Sequence, residues 1–316
     1  LSAACAAAKE KVRQTIQKVA TDGVFSTVEA VRSKLSEPIP LGYCNVGIVE
    51  AVGDKVDEFS VGDRIISNAP HAEYAVVPCN LTARVPNNVD DDQASFTVLG
   101  SIALQGLRLV KPTLGETIAV FGLGLIGQLT VKLLIANGCR VIGLDFDAGK
   151  LASAKASGAH VIDLTHTDDL GSQVSSFTRG IGVDATIITT ATDSNDPVDQ
   201  SAEICRQRGR IVLVGTSGTT ISRDRFYRKE LSFQVSCSYG PGRYDPNYEI
   251  AGNDYPVGFV RWTERRNFEA FLDMLSSSHI TTHDLISQKA HINDAEQIYD
   301  KAFKDPTKLG VVFEYP

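Results

Sequence analysis

Short apolar runs alternate with apolar-periodic segments along the middle of the chain. From about residue 98 to residue 236, runs bounded by turn residues predict strands, and segments with an apolar residue at every third or fourth position predict helices. Strands and helices in this order form a parallel sheet covered on both faces, so the pattern predicts an α/β fold with a doubly wound parallel sheet. The predicted strands are 117–121, 140–145, 160–163, 184–188, 210–214 and 231–236, and the predicted helices lie near 126–137, 149–157, 168–178 and 197–207.

The flanking stretches have a different period. Residues 40–90 contain strand-like runs separated by turn residues, which predict a small β-barrel. Residues 1–36 have the pattern of two charged, amphipathic helices. The strand-like runs are 47–53, 61–67 and 72–78, and the later elements are helices near 263–276 and 293–304 and a last strand at 309–315.

A glycine-rich turn follows the first predicted strand of the middle segment. Gly122, Gly124 and Gly127 form G-x-G-x-x-G between the apolar run that ends at Phe121 and a helix. The first glycine permits a tight turn, the second lets the backbone approach a pyrophosphate, and the third allows close packing of helix on strand. The free N–H groups at the helix N-terminus favour the anion. In this setting the motif predicts a dinucleotide-binding site.

An acid at the end of the second strand indicates which dinucleotide is bound. The Asp145 carboxylate can hold the free ribose hydroxyls of NAD(H), and it would repel the 2′-phosphate of NADP(H). No Arg or Lys occurs at 146–149 to offset that repulsion. Lys150 follows, and it lies either over the adenosine edge or in solvent. The sequence therefore predicts NAD(H) as the cofactor.

Composition narrows the functional class. The chain has 316 residues, 43% hydrophobic and 22% charged, which is ordinary for an enzyme with room for two domains. A net charge of −7 argues against binding to nucleic acid or to an anionic membrane, and the apolar runs are too short to span a bilayer. Scattered cysteines without a C-x-x-C pair predict reduced thiols in a cytoplasmic protein. Because the first residue is Leu, we expect the natural N-terminus to lie upstream.

Several motifs together resemble a known family. The run from Gly47 to Ile65, the AEY at 72–74, the glycine turn, KELSF at 229–233 and the closing LGVVFEY resemble the medium-chain dehydrogenase/reductase superfamily, best known for zinc alcohol dehydrogenases. The resemblance covers residues 38–316. It implies a GroES-like β-barrel domain built from residues 1–97 and 237–316, a Rossmann dinucleotide-binding domain at 98–236, and a substrate in the cleft between them.

A narrower resemblance comes from PLGYCNVGIV, FTVLGSIALQGLRL and the segment 236–267. These stretches are similar to the dehydrogenase half of bacterial bi-domain oxidoreductases, found in polysaccharide and sugar-modification clusters. Such proteins often carry a second, glucose-fructose-oxidoreductase-like half, and this chain stops where that half would begin. The resemblance implies a stand-alone version or a truncated one, with a second oxidoreductase domain or partner in the latter case.

The chain departs from the zinc-dependent members at their ligand positions. Tyr43 stands where they carry a histidine ligand, and Thr97 stands at the second cysteine position. The structural zinc loop is missing, because Ser67–Pro70 passes directly to His71. Tetrahedral zinc needs about three protein ligands, and Cys44 with His71 supplies at most two. We therefore expect no metal, with Cys44 as a small buried hydrophobe.

Without zinc, the alcohol proton must pass to a side chain. Tyr43 is the first candidate, since a phenol at the former ligand position can pass a proton or donate a hydrogen bond to a carbonyl oxygen. His71 is the second, although a structural hydrogen bond is an equally good interpretation of a lone histidine. The resemblance further implies that Thr97 and Ser101 stand opposite the nicotinamide as part of the catalytic site.

The segment 236–267 is unusually rich in tyrosine and arginine, and it contains the only tryptophan. One interpretation is a structured loop whose aromatic side chains form a local core. The other is a substrate-binding lip, in which aromatic faces stack on sugar rings and an arginine grips a carboxylate or phosphate. The residues assigned to substrate on the second interpretation are Tyr239, Arg243, Tyr244, Arg261 and Trp262.

Together these features predict a zinc-independent dehydrogenase that moves hydride between NAD(H) and a secondary alcohol or ketone of a polar, sugar-like substrate, which could be anionic. The alternatives are a zinc-free quinone or enoyl reductase, which Asp145 disfavours, and a non-catalytic NAD-binding module of a larger assembly. We expect a homodimer paired through the edge strand Leu231–Cys237. The resemblance implies that the cofactor is held by Gly122, Gly124, Leu125, Ile126, Gly127, Asp145, Lys150, Thr189, Val214, Gly215, Ser236 and Ser238.

Overall fold

The structure is a computed structural model that describes residues 40–166, 169–302, 305 and 307–316. Its first sheet is antiparallel, with the second strand in the middle. Two helices then lead toward the large sheet. The predicted helices within residues 1–36 lie outside the described residues. These first elements are β1 (Asn45–Ile48), β2 (Arg64–Ser67), β3 (Thr82–Arg84), α1 (Asp91–Ala94) and α2 (Thr97–Val110).

The predicted strand at 72–78 is not a strand in the structure. Its apolar alternation favours a strand, but Pro70 and Pro78 bracket the segment, and the Tyr74 and Val76 side chains are exposed. Backbone groups adopt strand pairing only where a neighbour supplies hydrogen-bond partners, and no described strand runs beside this segment. The third strand of this sheet is formed instead by β3, farther along the chain.

A six-stranded parallel sheet forms the centre of the molecule, with the order β6-β5-β4-β7-β8-β9. Its strands are β4 (Thr117–Phe121), β5 (Arg140–Asp145), β6 (His160–Asp163), β7 (Val183–Ile188), β8 (Cys205–Leu213) and β9 (Ser232–Val235). Every neighbouring pair is parallel, so the predicted doubly wound α/β sheet is confirmed. The strand order reverses between β4 and β7, and in such sheets ligands bind beside that point at the carboxyl ends of the strands.

Helices cover both faces of this sheet. Alternate residues of β4 point to opposite layers: Ile118 and Val120 join a core with α2 and the helix after β4, whereas Ala119 and Phe121 join a core with the helices before β7 and β8. Burial on both faces explains why the central strands are continuous apolar runs. The covering helices are α3 (Leu125–Ala136), α4 (Ala148–Ala156), α5 (Leu170–Phe177), α6 (Asp196–Ile204) and α7 (Arg223–Lys229).

Several elements differ from the predicted pattern, among them α7, which was not predicted. The helix expected to reach residue 207 ends at Ile204, because Arg206 already lies in β8 and pairs with Asp184 on β7. The helix α2 was not predicted, because most of its residues are buried and it therefore shows little polar face. Its Gly100 permits close packing, since a Cβ there would lie 2.1 Å from the ring of Phe271.

The C-terminal part of the chain forms helices and a separate sheet of two short strands. The predicted elements near 263–276, 293–304 and 309–315 correspond to a long helix, a shorter helix and the last strand. Within the described ranges, the stretches expected to form the barrel contain the antiparallel sheet β1-β2-β3 and a separate parallel strand pair, and a barrel stays a prediction. Among all the residues that the structure describes, no helix is long and apolar enough to cross a membrane. The C-terminal elements are α8 (Pro246–Glu249), α9 (Glu264–Ser276), β10 (Ile286–His291), α10 (Ala295–Ala302) and β11 (Gly310–Glu314).

Candidate functional site

The glycine turn lies at the carboxyl end of β4, beside the reversal of strand order. Gly122 has a φ of +85°, and a Cβ on it would lie 3.0 Å from the backbone nitrogen of Thr190. A Cβ on Gly127 would lie 2.0 Å from the Gly122 carbonyl oxygen, so only glycine lets the helix approach the turn. At Gly124, in contrast, a Cβ would have no described atom within 4 Å. The turn is therefore open at the glycine where a pyrophosphate would approach the backbone.

The N-terminus of α3 faces the same opening. Its N-cap is Gly124, and no side chain caps the helix there. The first N–H groups of a helix have no partner within the helix, so those of Leu125, Ile126 and Gly127 are available to an anion. These residues offer the backbone donors that dinucleotide binding needs.

Asp145 ends β5 and turns its carboxylate toward the glycine turn. Its Oδ2 accepts a hydrogen bond from the Leu123 N–H at 2.6 Å, and its Oδ1 accepts from the N–H groups of Phe146 and Asp147 at 2.8 and 3.0 Å. Oδ2 retains a lone pair for a ribose hydroxyl. Lys150 enters this region through its backbone, because its carbonyl oxygen accepts from the Gln128 side chain at 2.8 Å.

The ends of β7 and β8 form the next wall. The Thr189 hydroxyl donates to the Gly122 carbonyl oxygen at 2.6 Å, which ties β7 to the glycine turn. A Cβ on Gly215 would lie 2.1 Å from the Thr190 carbonyl oxygen, so the two strand ends touch backbone to backbone. Val214 points away from this contact and packs on the α2 helix.

Two hydroxyl groups at this end of the sheet are buried without a hydrogen-bond partner among the described residues, Thr190 Oγ1 and Ser236 Oγ. Buried polar groups almost always have a hydrogen-bond partner, so a bound polar ligand would supply the partners that these two hydroxyl groups lack. The sequence did not single out Thr190, which follows Thr189 directly. Ser238, two residues beyond Ser236, has a φ of +47° and starts the turn into the segment 236–267.

Tyr43 and Cys44 lie near the first turns of α2. Burial raises the pKa of the Cys44 thiol to about 12, while a hydrogen bond with the Leu99 backbone acts in the opposite direction. Tyr43 is half exposed, and partial burial, followed by the neighbouring Cys44, raises its pKa. The end of α2 lies at the amino end of the sheet, where the Lys111 carbonyl accepts from Arg210. The first turns of α2, and Tyr43 with them, therefore lie toward the carboxyl ends of the strands.

Thr97 and Ser101 do not have the surroundings expected of catalytic groups. Both are fully buried. The Thr97 hydroxyl donates to the Ala94 carbonyl at 2.7 Å, and the Ser101 hydroxyl donates to the Thr97 carbonyl at 2.8 Å. Hydroxyls inside helices commonly bond to a carbonyl one turn back. These surroundings do not favour the catalytic role that the resemblance implied for Thr97 and Ser101, and that role stays a prediction.

The side chains at the former zinc position do not fit a zinc ion. Tyr43 and Thr97 are not among the Cys, His and carboxylate ligands that zinc sites use, so of these three described residues Cys44 is the one that zinc could use. The second candidate ligand, His71, is hydrogen-bonded to a tyrosine. Within the described ranges, the His, Cys and acidic side chains that converge in a group of three are elsewhere, at Asp90, Asp92 and His283.

His71 is held between the start of the described chain and its C-terminal strand. Its N–H donates to the Leu41 carbonyl at 2.7 Å, and its ring lies so close over Gly42 that a Cβ there would be 2.6 Å from Nε2. Nε2 lies 2.8 Å from the Tyr299 hydroxyl, and the ring meets Phe313 edge-on. Burial lowers the pKa of His71, so the imidazole is neutral at neutral pH. Tyr299 was missed, because no local signal links positions 228 residues apart.

The segment 236–267 has a buried base and an exposed tip. Tyr239 is 4% exposed, and its hydroxyl accepts from Asn68 at 3.0 Å. Tyr248 is fully buried and stacks on Tyr255. The packing of these rings supports the local-core interpretation and does not favour the substrate role predicted for Tyr239. Tyr244 is 71% exposed, so it stays available for a substrate.

Arg243 is neutralised within the segment. Its Nη1 lies 2.5 Å from Glu249 Oε1, and its guanidinium stacks over the Tyr244 ring. Glu249 in turn faces the fully buried Glu264, whose pKa is raised to about 8 by burial first and by the charge of Glu249 second. A guanidinium with an internal carboxylate partner is a poor group for a substrate anion, so the role predicted for Arg243 is not supported.

Arg261 and Trp262, which are two of the residues predicted to bind substrate, stack on each other. The guanidinium carbon of Arg261 lies 3.8 Å from the ring centre of Trp262. Arg108 of α2, which the sequence did not single out, lies 3.3 Å from the same ring centre. Only the tertiary fold brings α2 and this segment together.

Known proteins resemble this chain in sequence and fold. A family model described as zinc-binding dehydrogenase matches residues 126–251. The D-guloside 3-dehydrogenase of Escherichia coli (strain K12) is 25% identical over 287 residues, which cover 86% of this chain and 77% of that protein. The galactitol-1-phosphate dehydrogenase of Escherichia coli superposes with a TM-score of 0.71 at 20% identity, over 84% of this chain and 82% of that one. A short chain alcohol dehydrogenase from E. coli CFT073, solved in complex with NADH, gives a TM-score of 0.70 at 22% identity, over 86% and 82%.

Proposed function

Because this chain belongs to the medium-chain dehydrogenase/reductase superfamily and is an oxidoreductase of the alcohol dehydrogenase type, we propose that it is a zinc-independent, NAD(H)-linked dehydrogenase. Its substrate is a secondary alcohol, or the matching ketone, on a sugar-like molecule. The observation that carries the proposal is the glycine turn, closed at Gly122 and Gly127, open at Gly124, and flanked by the acid Asp145.

The cofactor would be held by the residues around this turn. The first N–H groups of α3 suit its pyrophosphate, and Asp145 suits the adenosine ribose. The hydroxyl groups of Thr190 and Ser236, which are buried without a hydrogen-bond partner among the described residues, lie at strand ends. The nicotinamide half of the cofactor would supply polar partners for them there. A solved structural neighbour was obtained with NADH, which supports a nicotinamide cofactor.

The substrate class is supported by the relatives. One is named for the dehydrogenation of a D-guloside, and one structural neighbour for that of galactitol-1-phosphate. Both names describe oxidation of a hydroxyl-bearing carbon on a sugar or sugar alcohol. The aromatic and basic side chains of the segment 236–267 suit such a molecule, because aromatic faces pack on sugar rings.

When bound, the nicotinamide supplies the hydride acceptor or donor. The protein must then hold the alcohol and move its proton. We assign this role to the Tyr43 hydroxyl, which is half exposed on the side of the sheet where the strands end. A phenol can donate a hydrogen bond to the substrate oxygen and stabilise the charge that develops there. The second candidate is His71, because its neutral imidazole bonded to Tyr299 can accept a proton.

The test is a screen for NADH formation with NAD⁺ and a panel of sugar acids, inositols, glycosides and nucleotide sugars. We expect turnover on at least one of them. Tyr43→Phe should lower kcat by about a hundredfold or more, since acid–base groups contribute on that scale, and should leave NADH affinity unchanged. His71→Asn is the matched variant. If Tyr43→Phe keeps its turnover and His71→Asn loses it, the proton role belongs to His71.

Two further results would overturn the proposal. Stoichiometric zinc that survives dialysis, with activity lost to a chelator, would contradict the zinc-independent mechanism. Tight NAD(H) binding without turnover on any alcohol would favour a non-catalytic module, and NADPH-dependent reduction of a quinone or enone would favour the reductase class.

A further inference from the structure

A cluster of cations joins α2 to the segment 236–267. The guanidinium carbons of Arg108 and Arg261 lie 3.3 and 3.8 Å from the centre of the Trp262 ring. Two guanidinium groups cannot share one face of a ring at those distances without overlapping. Trp262 is therefore sandwiched between Arg108 and Arg261. Cation–π attraction holds each arginine on the ring, but it does not remove their positive charge.

The charge of this sandwich has no counter-charge in the described part of the chain. Arg108 gives its Nε to the neutral Asn267 amide at 2.7 Å, and no described carboxylate pairs with Arg108 or Arg261. Burial, followed by the charge of Arg261, lowers the pKa of Arg108 to about 10. The other arginines of the segment each pair with a carboxylate, at Arg243, Arg265 and Arg266.

The sandwich is also held in place from behind. Asn267 is fully buried; its oxygen accepts from Arg108, and its amide nitrogen donates to the Tyr239 carbonyl at 2.8 Å. A Cβ on Gly240 would lie 2.6 Å from that amide nitrogen, so the backbone closes tightly around it. The Arg108 guanidinium is thus positioned before any ligand arrives, which lowers the entropic cost of binding.

We propose that Arg108 and Arg261 bind a phosphate-type oxyanion at the edge of the Trp262 ring. Arginine forks match phosphate oxygens in two parallel hydrogen bonds, and a stacked arginine keeps its N–H edge free for them. An anion there supplies the missing counter-charge to both cations. A lysine pair would not give the same geometry.

The position of the site indicates what could carry the anion. The backbone of Leu99, in the first turn of α2, contacts Cys44. Arg108 lies nine residues farther along the same helix, which corresponds to a rise of about 14 Å. A substrate that reacts near Tyr43 and reaches Arg108 must therefore be extended, as a nucleoside diphosphate sugar or a long sugar phosphate is. This assignment to the substrate rests on the proposed function, whereas anion binding itself does not.

The binding test uses Trp262, the only tryptophan in the chain, as its own reporter. The protein is saturated with NAD⁺, so that the glycine turn is occupied, and titrated with inorganic pyrophosphate at constant ionic strength. We expect a saturable change in tryptophan fluorescence. Chloride or acetate at the same ionic strength should give none. A fluorescence response that is linear or absent would overturn the site.

Variants identify the residues responsible. Arg261→Ala and Arg108→Lys should each weaken pyrophosphate binding at least tenfold, and Arg108→Lys keeps the charge while removing the fork. Arg223→Ala is the matched control, since Arg223 also stacks on an aromatic ring, that of Tyr227, but lies on α7. Equal weakening in all three variants, or full binding in Arg261→Ala, would contradict the proposal.

Kinetics separate the two sources of the anion. If the anion belongs to the substrate, Arg261→Ala should raise KM for a phosphorylated substrate at least tenfold and leave KM for its dephosphorylated form unchanged. If it is a free phosphate, Arg261→Ala leaves both KM values unchanged, although the unmodified protein binds pyrophosphate. If no substrate is found, the proposed function fails, and the fluorescence titration still decides whether the oxyanion site exists.

Discussion

Asp145 is the residue on which the cofactor preference depends. Its carboxylate serves two purposes, because it accepts the Leu123 N–H and places a negative charge at the tip of β5. Removing the whole side chain would therefore loosen the turn and change the charge together. Asparagine separates the two effects in part, since it removes the charge and keeps one of the two acceptor oxygens.

We predict that NAD(H) binds at least about tenfold more tightly than NADP(H), a difference of about 1.4 kcal/mol. Asp145→Asn and Asp145→Ala should both narrow that gap, and Asp145→Asn should lower thermal stability less than Asp145→Ala, because one oxygen still accepts backbone N–H groups. Isothermal titration with both cofactors measures the ratio. Equal dissociation constants in the unmodified protein would show that Asp145 does not select the cofactor.

Glu264 makes stability depend on pH. It is fully buried beside Glu249, and its pKa is raised to about 8, so the folded protein keeps it protonated at neutral pH. The unfolded chain releases that proton near its ordinary pKa of about 4.3. Between these values the folded state binds more protons than the unfolded state, so the free energy of unfolding falls as pH rises. Above pH 8 this contribution is constant.

Glu264→Gln, which is neutral at every pH, should accordingly unfold at a higher temperature than the unmodified protein at pH 8. The gain should be of the order of a few kcal/mol, since one pKa unit corresponds to about 1.4 kcal/mol, and should shrink toward pH 5. Glu269→Gln, on the same helix but exposed and paired with Arg265, is the control and should show no such trend. Thermal denaturation at a series of pH values checks this, and a Glu264→Gln protein less stable at pH 8 would refute it.

At the scale of elements, the turn between β4 and α3 contains, within six residues, one glycine that the fold needs and another that ligand binding needs. Gly127 is needed for packing, because its Cβ would overlap the Gly122 carbonyl. Gly124 has a φ of −63°, which any residue adopts, and its side faces open space. A methyl group at Gly124 is thus compatible with the fold and would occupy the path of a pyrophosphate.

We predict that two alanine substitutions in this turn affect different properties, one the stability of the fold and the other the affinity for NADH. Gly127→Ala should lower the free energy of unfolding by about 1–3 kcal/mol, the usual cost of overpacking. Gly124→Ala should leave stability unchanged and weaken NADH binding at least tenfold, about 1.4 kcal/mol. Chemical denaturation and NADH fluorescence titration measure both. Unchanged NADH affinity in Gly124→Ala would place the pyrophosphate elsewhere.

At the scale of the whole molecule, β9 is one of the two edge strands that the parallel sheet has among the described residues. Its Val235 side chain is 59% exposed, and an edge strand offers unpaired backbone groups to another strand. We propose that two copies pair through β9 about a two-fold axis, as expected from the sequence. The pairing would join the two central sheets into one.

Val235→Lys should convert that dimer to a monomer, because a two-fold axis brings the new charges of both copies toward each other. Val61→Lys is the control, since Val61 is equally exposed, at 66%, but lies outside the parallel sheet. Light scattering coupled to gel filtration gives the masses. A monomeric unmodified protein, or a dimer that persists in Val235→Lys, would rule out this interface.

The sequence alone determined the six strands of the central sheet, four of the helices that cover it, and the glycine turn with Asp145. These features depend on apolar periodicity and on residues close together in the chain, so local spacing carries them. It did not determine the end of α6 or the loop at 72–78, where cross-strand partners decide between helix, strand and coil.

Tertiary structure decided the chemistry of the side chains. The family resemblance implied that Thr97 and Ser101 stand opposite the nicotinamide, yet their hydroxyl groups donate to helix carbonyls. The Glu249 pairing neutralises Arg243, whereas Arg108, stacked on Trp262 and bonded to the neutral Asn267, has no carboxylate partner among the described residues. His71 meets Tyr299 only because the chain folds back across 228 positions. Such contacts join residues whose separation carries no periodic signal, so only packing in three dimensions determines which polar groups stay free to act.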